Sequence, residues 1–480
     1  MSSSIIAVIL VVYFIMIGII SFVTGRAADG SDSFYSGEKR SPWFVVAVGM
    51  IGATLSGISV ISVPGMVRSV QFTYMQMVVG FFFGYLVVAA LLLPLYYKLN
   101  LTSIYSYLGN RFGTISQRTA SLFFILSKSV GAAARLYVAA IVLQQFIFDA
   151  WRIPFALTMG GTLFIVYLYT FKGGIKTIVW TDFFQTIALV LAAVLLLVDV
   201  MARLDLNIVS AAKTISESQW SLVFVFEDWH SRQNFFKQFF SGIFVVIVMT
   251  GLDQDIMQKN LSCKTCKDAR RTMLWYGFAF IPVNLIFLSL GALILVYASQ
   301  RGIMLPTASD DIVPSFANQT GVFAAICFVT GIVAATFSSI DSALTSLTTS
   351  FSVDILNIGK SNTQHSTRQR MVIHFGFTVF LFFLVLLFRA LNSKSAIDAI
   401  YTIVSYTYGP LLGLFAFGLF MPFAIKDKWT PLVAILSPAI SFCIDYCSKK
   451  FANYAFGYEL LMINGAITFA GICLIIKKKN

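Results

Sequence analysis

Gly49-Met50-Ile51-Gly52-Ala53-Thr54-Leu55-Ser56-Gly57-Ile58-Ser59-Val60-Ile61-Ser62-Val63-Pro64-Gly65 decides how this chain is read. The stretch sits in an apolar run of helical length, residues 43–67, yet it holds four Gly, four hydroxyl residues and a Pro within seventeen positions. Glycine and proline both weaken a helix interior. The composition predicts a helix broken at the middle of a bilayer. Non-helical backbone survives at that depth only where it lines a cavity, and its freed carbonyls can hold a cation. A kink with no ligand is the plainer alternative.

The rest of the chain supplies the bilayer. Of 480 residues, 58% are hydrophobic, 11% charged and 15% aromatic, against about 45–50% apolar and about 25% charged in a soluble domain. A water-soluble fold has no place for so much apolar side chain. That excludes a soluble enzyme, a disordered chain and a nucleic-acid binder. Apolar runs of spanning length fall near 4–24, 43–67, 72–96, 118–148, 154–171, 176–202, 236–257, 271–299, 319–353, 371–390, 397–423, 430–447 and 455–476. The expected fold is therefore all-α and membrane-embedded, with about 13 transmembrane helices crossing a core of about 30 Å. The first run has no basic residue before it and reads as a retained helix. The longest polar insert, 203–235, predicts a short interfacial helix around Trp220, Phe224, Phe226 and Trp229.

Charge sets the expected threading. The net charge is +13, from 34 Lys and Arg against 21 Asp and Glu. The basic residues sit in short segments between apolar runs, not in one arm or on one face. Loops on one side (25–42, 97–118, 172–176, 258–271, 355–370, 424–428, 477–480) carry 21 of them and the other side carries 11. The richer side is expected to be cytoplasmic, which puts the N-terminus outside and the C-terminus inside a cell membrane. Cys263 and Cys266 form a C-x-x-C, but three His in the whole chain leave no zinc set around it.

Ionisable groups at membrane depth are functional candidates by default. Asp182 follows Trp180-Thr181, and Asp341 lies in Phe337-Ser338-Ser339-Ile340-Asp341-Ser342. No Lys or Arg in either local stretch neutralises these carboxylates, so a bound alkali cation is the expected counter-charge, with oxygen ligands. On a helix, Ala335, Ser338, Ser339 and Ser342 share a face. Small-residue packing in lipid is the alternative account of the Ser338–Ser350 hydroxyls. A second candidate break is Thr250-Gly251-Leu252-Asp253-Gln254-Asp255. The two breaks fall five spans apart, which fits two five-helix repeats of inverted topology.

These residues carry a family resemblance. Phe34-Tyr35-Ser36-Gly37 with Pro42-Trp43, the Gly52–Pro64 segment, Trp180-Thr181-Asp182 with Gln185, Asp253-Gln254 with Gln258 and Ala269-Arg270-Arg271, and Ser338-Ser339 through Asp354 occur in one order along the chain. Gly413 and Gly418 add a weaker match. The ordered set resembles the sodium:solute symporter family. The resemblance implies a LeuT-type 5+5 inverted repeat with one extra N-terminal helix and two extra C-terminal helices. The segments would be 1–42 (extra helix and cytoplasmic loop), 43–202 (first repeat), 203–235 (extracellular loop), 236–423 (second repeat) and 424–480 (C-terminal helices).

The resemblance also implies ligands. A primary Na⁺ site would use the carbonyls of Gly52, Leu55 and Ala335 and the hydroxyls of Ser338 and Ser339. A second Na⁺ site, found in sialic acid transporters of the family, falls on Asp182, Ser338, Asp341 and Ser342, with Asp341 where those relatives have a hydroxyl. Thr54, Ser56, Ser59 and Tyr74 match solute-contacting positions. Val78 and Gly131 stand where those relatives have a solute-binding Gln and a carboxylate-binding Arg. Arg135, one helical turn on, is left to hold the solute, to pair with Asp253 or to lie at an interface.

The function implied is sodium-coupled import of a small organic solute, sugar-like or sialic-acid-like, with one or two Na⁺ and no obligatory protein partner. A proton-coupled symporter using Asp182 and Asp341 and a non-transporting membrane solute sensor are the alternatives. The chain has no nucleophile–base pair or phosphate-binding loop to suggest an enzyme.

Overall fold

The broken stretch governs the architecture. In the computed structural model, which describes residues 2–25, 34–171, 174–358, 364–391, 402 and 404–477, Trp43–Thr54 (α2) and Gly57–Val70 (α3) are separate helices. Leu55 and Ser56 between them are extended, at φ/ψ −77°/93° and −79°/171°. The two helices bend by 62°. The second candidate break behaves alike: Phe235–Gly251 and Gln254–Leu261 bend by 64° about Leu252-Asp253.

Around these pairs stand long helices. In chain order, α1 is Ser2–Gly25, α4 Tyr74–Lys98, α5 Thr114–Trp151, α6 Phe155–Thr170 and α7 Gly174–Arg203. The second bent pair is α8 and α9, followed by α10 Cys266–Arg301, α11 Val322–Ile355 and α12 Gln364–Leu391. Val404–Phe420 is α13, Thr430–Phe451 α14 and Leu460–Leu474 α15. Among the described residues, eight helices are long and apolar enough to cross a membrane, up to ten with the bent pairs, and α6, α13 and α15 are shorter apolar helices. Among the described residues there are only two isolated β-bridges, Ser41–Cys263 and Ile425–Ile476. The start of the expected 397–423 span and Lys478-Lys479 lie outside the described residues.

Burial sorts the helices by role. In the most apolar window of α11, 83% of residues are buried inside the protein, against 28% for α1 and 22% for the α12 span. Every residue of α11 from Gly331 to Ser350 is buried. Its Gly, Ala, Ser and Thr side chains let α7, α2 and α3 close in on it. By contrast, α1 and α12 turn Val8, Val11, Val12, Phe375 and Phe383 outward, as lipid-facing helices do.

The 203–235 insert differs from expectation. Its helix is Ile208–Glu217, started by a capping box between Asn207 and Ser210. The aromatic stretch after it is not helical. Val223-Phe224-Val225-Phe226 alternates in period two, and Phe224 and Phe226 stack on each other and pack against Phe235. Backbone bonds tie the stretch to the start of α4: Phe72 N–H donates to Leu222 O (3.0 Å), and Val225 N–H to the Gln76 side chain (3.0 Å). Cys263 is buried beside Thr272, Sγ to Oγ1 3.6 Å, and burial pushes its thiol up to about 12, the behaviour of a packed thiol.

Candidate functional site

The α2–α3 break lies against α11 and α7. A helix end leaves its last carbonyls without intrahelical donors, here those of Gly52, Ala53, Thr54 and Leu55. Ser339 reaches into this end: its Oγ donates to Ala53 O (3.3 Å) and to its own Ala335 O (3.0 Å). One turn earlier on α11, a Cβ on Gly57 would overlap Thr336 Oγ1. That hydroxyl is buried and has no hydrogen-bond partner. On the α7 side, Gly52 N–H donates to Thr186 Oγ1 (3.0 Å), and Thr186 Oγ1 donates to Asp182 O (2.7 Å). A side chain at Gly52 would overlap Thr186, so glycine is what lets α2 and α7 touch here. Gly52, Ala335 and Ser339 thus meet at the break, which ends at Leu55. Thr186 and Thr336 were not foreseen, although each falls at helical spacing from a foreseen residue.

Ser338 faces elsewhere. Its Oγ donates to Asp182 Oδ1 at 2.5 Å. Ser342 Oγ lies 3.3 Å from Asp182 Oδ2 and 3.1 Å from Asp341 Oδ1, and Tyr169 OH donates to Asp341 Oδ2 (3.1 Å). The expected second set, Asp182, Ser338, Asp341 and Ser342, is therefore one fully buried cluster. The expected counter-charge is corrected. Lys259 Nζ stands 2.6 Å from Asp182 Oδ2, with both side chains at most 1% exposed. By its place in the 258–271 segment Lys259 belongs with the expected cytoplasmic loop charges. It is instead buried on α9, because the bend at Asp253 turns that short helix into the core.

The ion pairs continue from there. Lys259 is 3.8 Å from Asp255, Asp255 is 2.6 Å from Lys128, and Lys128 is 3.2 Å from Asp253. Tyr408 OH donates to Asp253 Oδ2 (2.6 Å). Asp253 Oδ1 also accepts from Asp255 N–H (2.9 Å), which caps α9. Alternating charge thus runs from the Asp182 cluster to a central cavity of about 100 Å³, whose wall includes Lys128, Asp253 and Tyr408.

All five residues expected to contact solute line that same cavity: Thr54, Ser56, Ser59, Tyr74 and Arg135. Gly131 lines it too, beside Phe81, Tyr85 and Phe280. Val78 is buried in the core. Lys128 and Tyr408 engage Asp253, and no ion pair between Arg135 and Asp253 forms. Arg135 Nε is buried without a hydrogen-bond partner. Thr54 Oγ1 is 2.6 Å from Tyr276 OH, which accepts from Tyr85 OH (2.9 Å). Tyr74 also lines a second cavity, of about 370 Å³, with Ser62, Met66, Gln233 and Asp310.

Comparison with known proteins bears on the family and the fold. The chain is 26% identical over 412 residues to the sodium/sialic acid symporter SiaT of Proteus mirabilis, covering 82% of this chain and 79% of that protein. It is 26% identical over 442 residues to the sodium-dependent multivitamin transporter of Oryctolagus cuniculus, covering 87% of this chain and 66% of that one. A solved Na⁺-coupled sialic acid symporter, substrate-bound and outward-open, superposes with a TM-score of 0.82 at 21% identity over 99% of both chains. The family model for the sodium:solute symporter family matches residues 34–424. This chain is a membrane transporter, not an enzyme, and it belongs to the sodium:solute symporter family.

Proposed function

We propose that the chain imports a sugar-like solute bearing a carboxylate, of the sialic acid type, by alternating access coupled to Na⁺. One observation carries the reading: Arg135 and the hydroxyls of Thr54, Ser56 and Ser59 border one cavity whose wall is the α2–α3 break itself. A guanidinium fits a carboxylate, and hydroxyls fit the rest of a sugar. The relatives named for sialic acid support the same class. In this reading thirteen helices span the bilayer, the bent pairs α2–α3 and α8–α9 head two inverted five-helix repeats, and the N-terminus faces out.

Na⁺ is co-substrate and binds at the break. Its ligands are the carbonyls of Gly52, Leu55 and Ala335 with the hydroxyl of Ser339, while Ser338 stays on Asp182. The ion ties α11 to the break and sets Thr54, Ser56 and Ser59 for the solute. Sodium then raises solute affinity, and solute raises sodium affinity by the same factor. Tyr74, in the wall of both cavities, stands between the central site and the outer mouth. The membrane potential drives each entering charge by about 2.3 kcal/mol per 100 mV. Once inside, Na⁺ leaves into a compartment where it is dilute, and the break reopens.

Uptake of labelled sialic acid into proteoliposomes, with and without an inward Na⁺ gradient, tests the reading. Gradient-independent or absent uptake of every carboxylated sugar tried would sink it. In that assay Ser339→Ala is expected to raise half-saturating Na⁺ about tenfold, the effect of losing one charge-assisted contact. An unchanged sodium curve would remove Ser339 from the site. Arg135→Ala is expected to weaken the carboxylated solute by about ten- to a hundredfold, while leaving competition by the uncharged sugar N-acetylmannosamine in place. Equal loss for both would mean that Arg135 holds the fold and not the carboxylate.

A further inference from the structure

We infer that the Lys259 ammonium is a resident cation standing in for a second sodium, so that this chain binds one Na⁺ per cycle. The inference rests on the sodium reading of the α2–α3 break and sets its stoichiometry.

The oxygens that would hold a second ion are already engaged. Asp182 Oδ1 accepts from Ser338 at 2.5 Å, and Asp182 Oδ2 faces Lys259 Nζ at 2.6 Å with Ser342 Oγ at 3.3 Å. Asp341 takes Ser342 on one oxygen and Tyr169 on the other, both at 3.1 Å. The donor set therefore does not fit an alkali ion while Lys259 is in place. A sodium ion bound there would share Asp182 with a full positive charge inside a low-dielectric core, where like charges repel strongly.

Lys259 has nowhere to withdraw. It is 1% exposed and sits on an eight-residue helix, all of it buried, that starts at the cap on Asp253. Its other ionic neighbour, Asp255, is 3.8 Å away and is itself held by Lys128 at 2.6 Å. An ammonium gives a buried carboxylate the monovalent counter-charge that sodium would give. It differs in one respect: tethered to the chain, it does not dissociate at the inner face. The cluster then holds α7, α9 and α11 together and moves no second ion across the membrane.

Equilibrium binding of ²²Na⁺ to the purified full chain in detergent counts the ions directly, with no solute needed. The wild type is expected to bind one Na⁺ per chain with a Hill coefficient of about one, and Ser339→Ala to bind it about tenfold more weakly. Lys259→Met frees Asp182 and Asp341 and is expected to bind two. Asp182→Asn combined with Lys259→Met is expected to return to one. Two ions on the wild type would overturn the inference and leave the sodium site at the break intact; so would a folded Lys259→Met that still binds one. No ion on the wild type would overturn both readings. Should Lys259→Met not fold, the wild-type count alone decides.

Discussion

Gly52→Ala is expected to cut sodium affinity by about ten- to a hundredfold through the α2–α7 contact. The added methyl would occupy the position of Thr186 Oγ1, and Thr186 cannot swing aside freely, because it accepts from Gly52 N–H and donates to Asp182 O. Overpacking of this kind costs about 1–3 kcal/mol, a range that spans the stated change in affinity. The strain falls on the carbonyl end of α2, where the ion's ligands are. The expected signature is a shifted Na⁺ activation curve with the protein still folded and monodisperse. Thr186→Ala, added as a second change, removes the hydroxyl that clashes and is expected to restore part of the affinity. A Gly52→Ala protein with wild-type sodium activation would show that the α2–α7 approach does not govern the site.

Asp182→Asn acts on stability. It leaves the Lys259 ammonium, 1% exposed, without its 2.6 Å partner, and an uncompensated buried charge costs about 3–5 kcal/mol. The unfolding midpoint in detergent should fall accordingly. Lys259→Met placed on top removes the orphaned charge and is expected to recover most of the loss, since apolar replacement of both partners is often near neutral. If the single and double variants were equally unstable, the pair would not be the source of the effect.

The break was legible because its cause is local: glycine, hydroxyls and proline crowd one span, and the chain bends where they do. Spacing placed Ser338, Ser339 and Ser342 on one buried stripe but not their division between Asp182 and the break. Lys259 was not legible. Its partner Asp182 lies on another helix, far away in sequence, and Lys259 adjoins a loop rich in Lys and Arg, so a count of loop charges absorbs it. The bend at Asp253 that carries it inward was visible, but not the direction of the bend. Lys128 and Arg135 had a usable signal: two cations seven residues apart inside an apolar run share a helix face. Their division of labour, one for Asp253 and one facing the cavity, needed the packing. The aromatic stretch at 220–229 misled because aromatic residues suit an interfacial helix and a period-two strand-like segment equally, and the Asn207 cap started the helix upstream.

One consequence of the burial pattern concerns lipid. The helix that carries Ser339 is sealed from the hydrocarbon over Gly331–Ser350, while α1 and α12 meet it along most of their length. Acyl-chain length and sterol content therefore bear on ion coordination only at second hand, through the tilt of outer helices accommodating hydrophobic mismatch. Such a transporter should keep its sodium affinity when moved between thick and thin membranes, and change instead the rate at which it turns over.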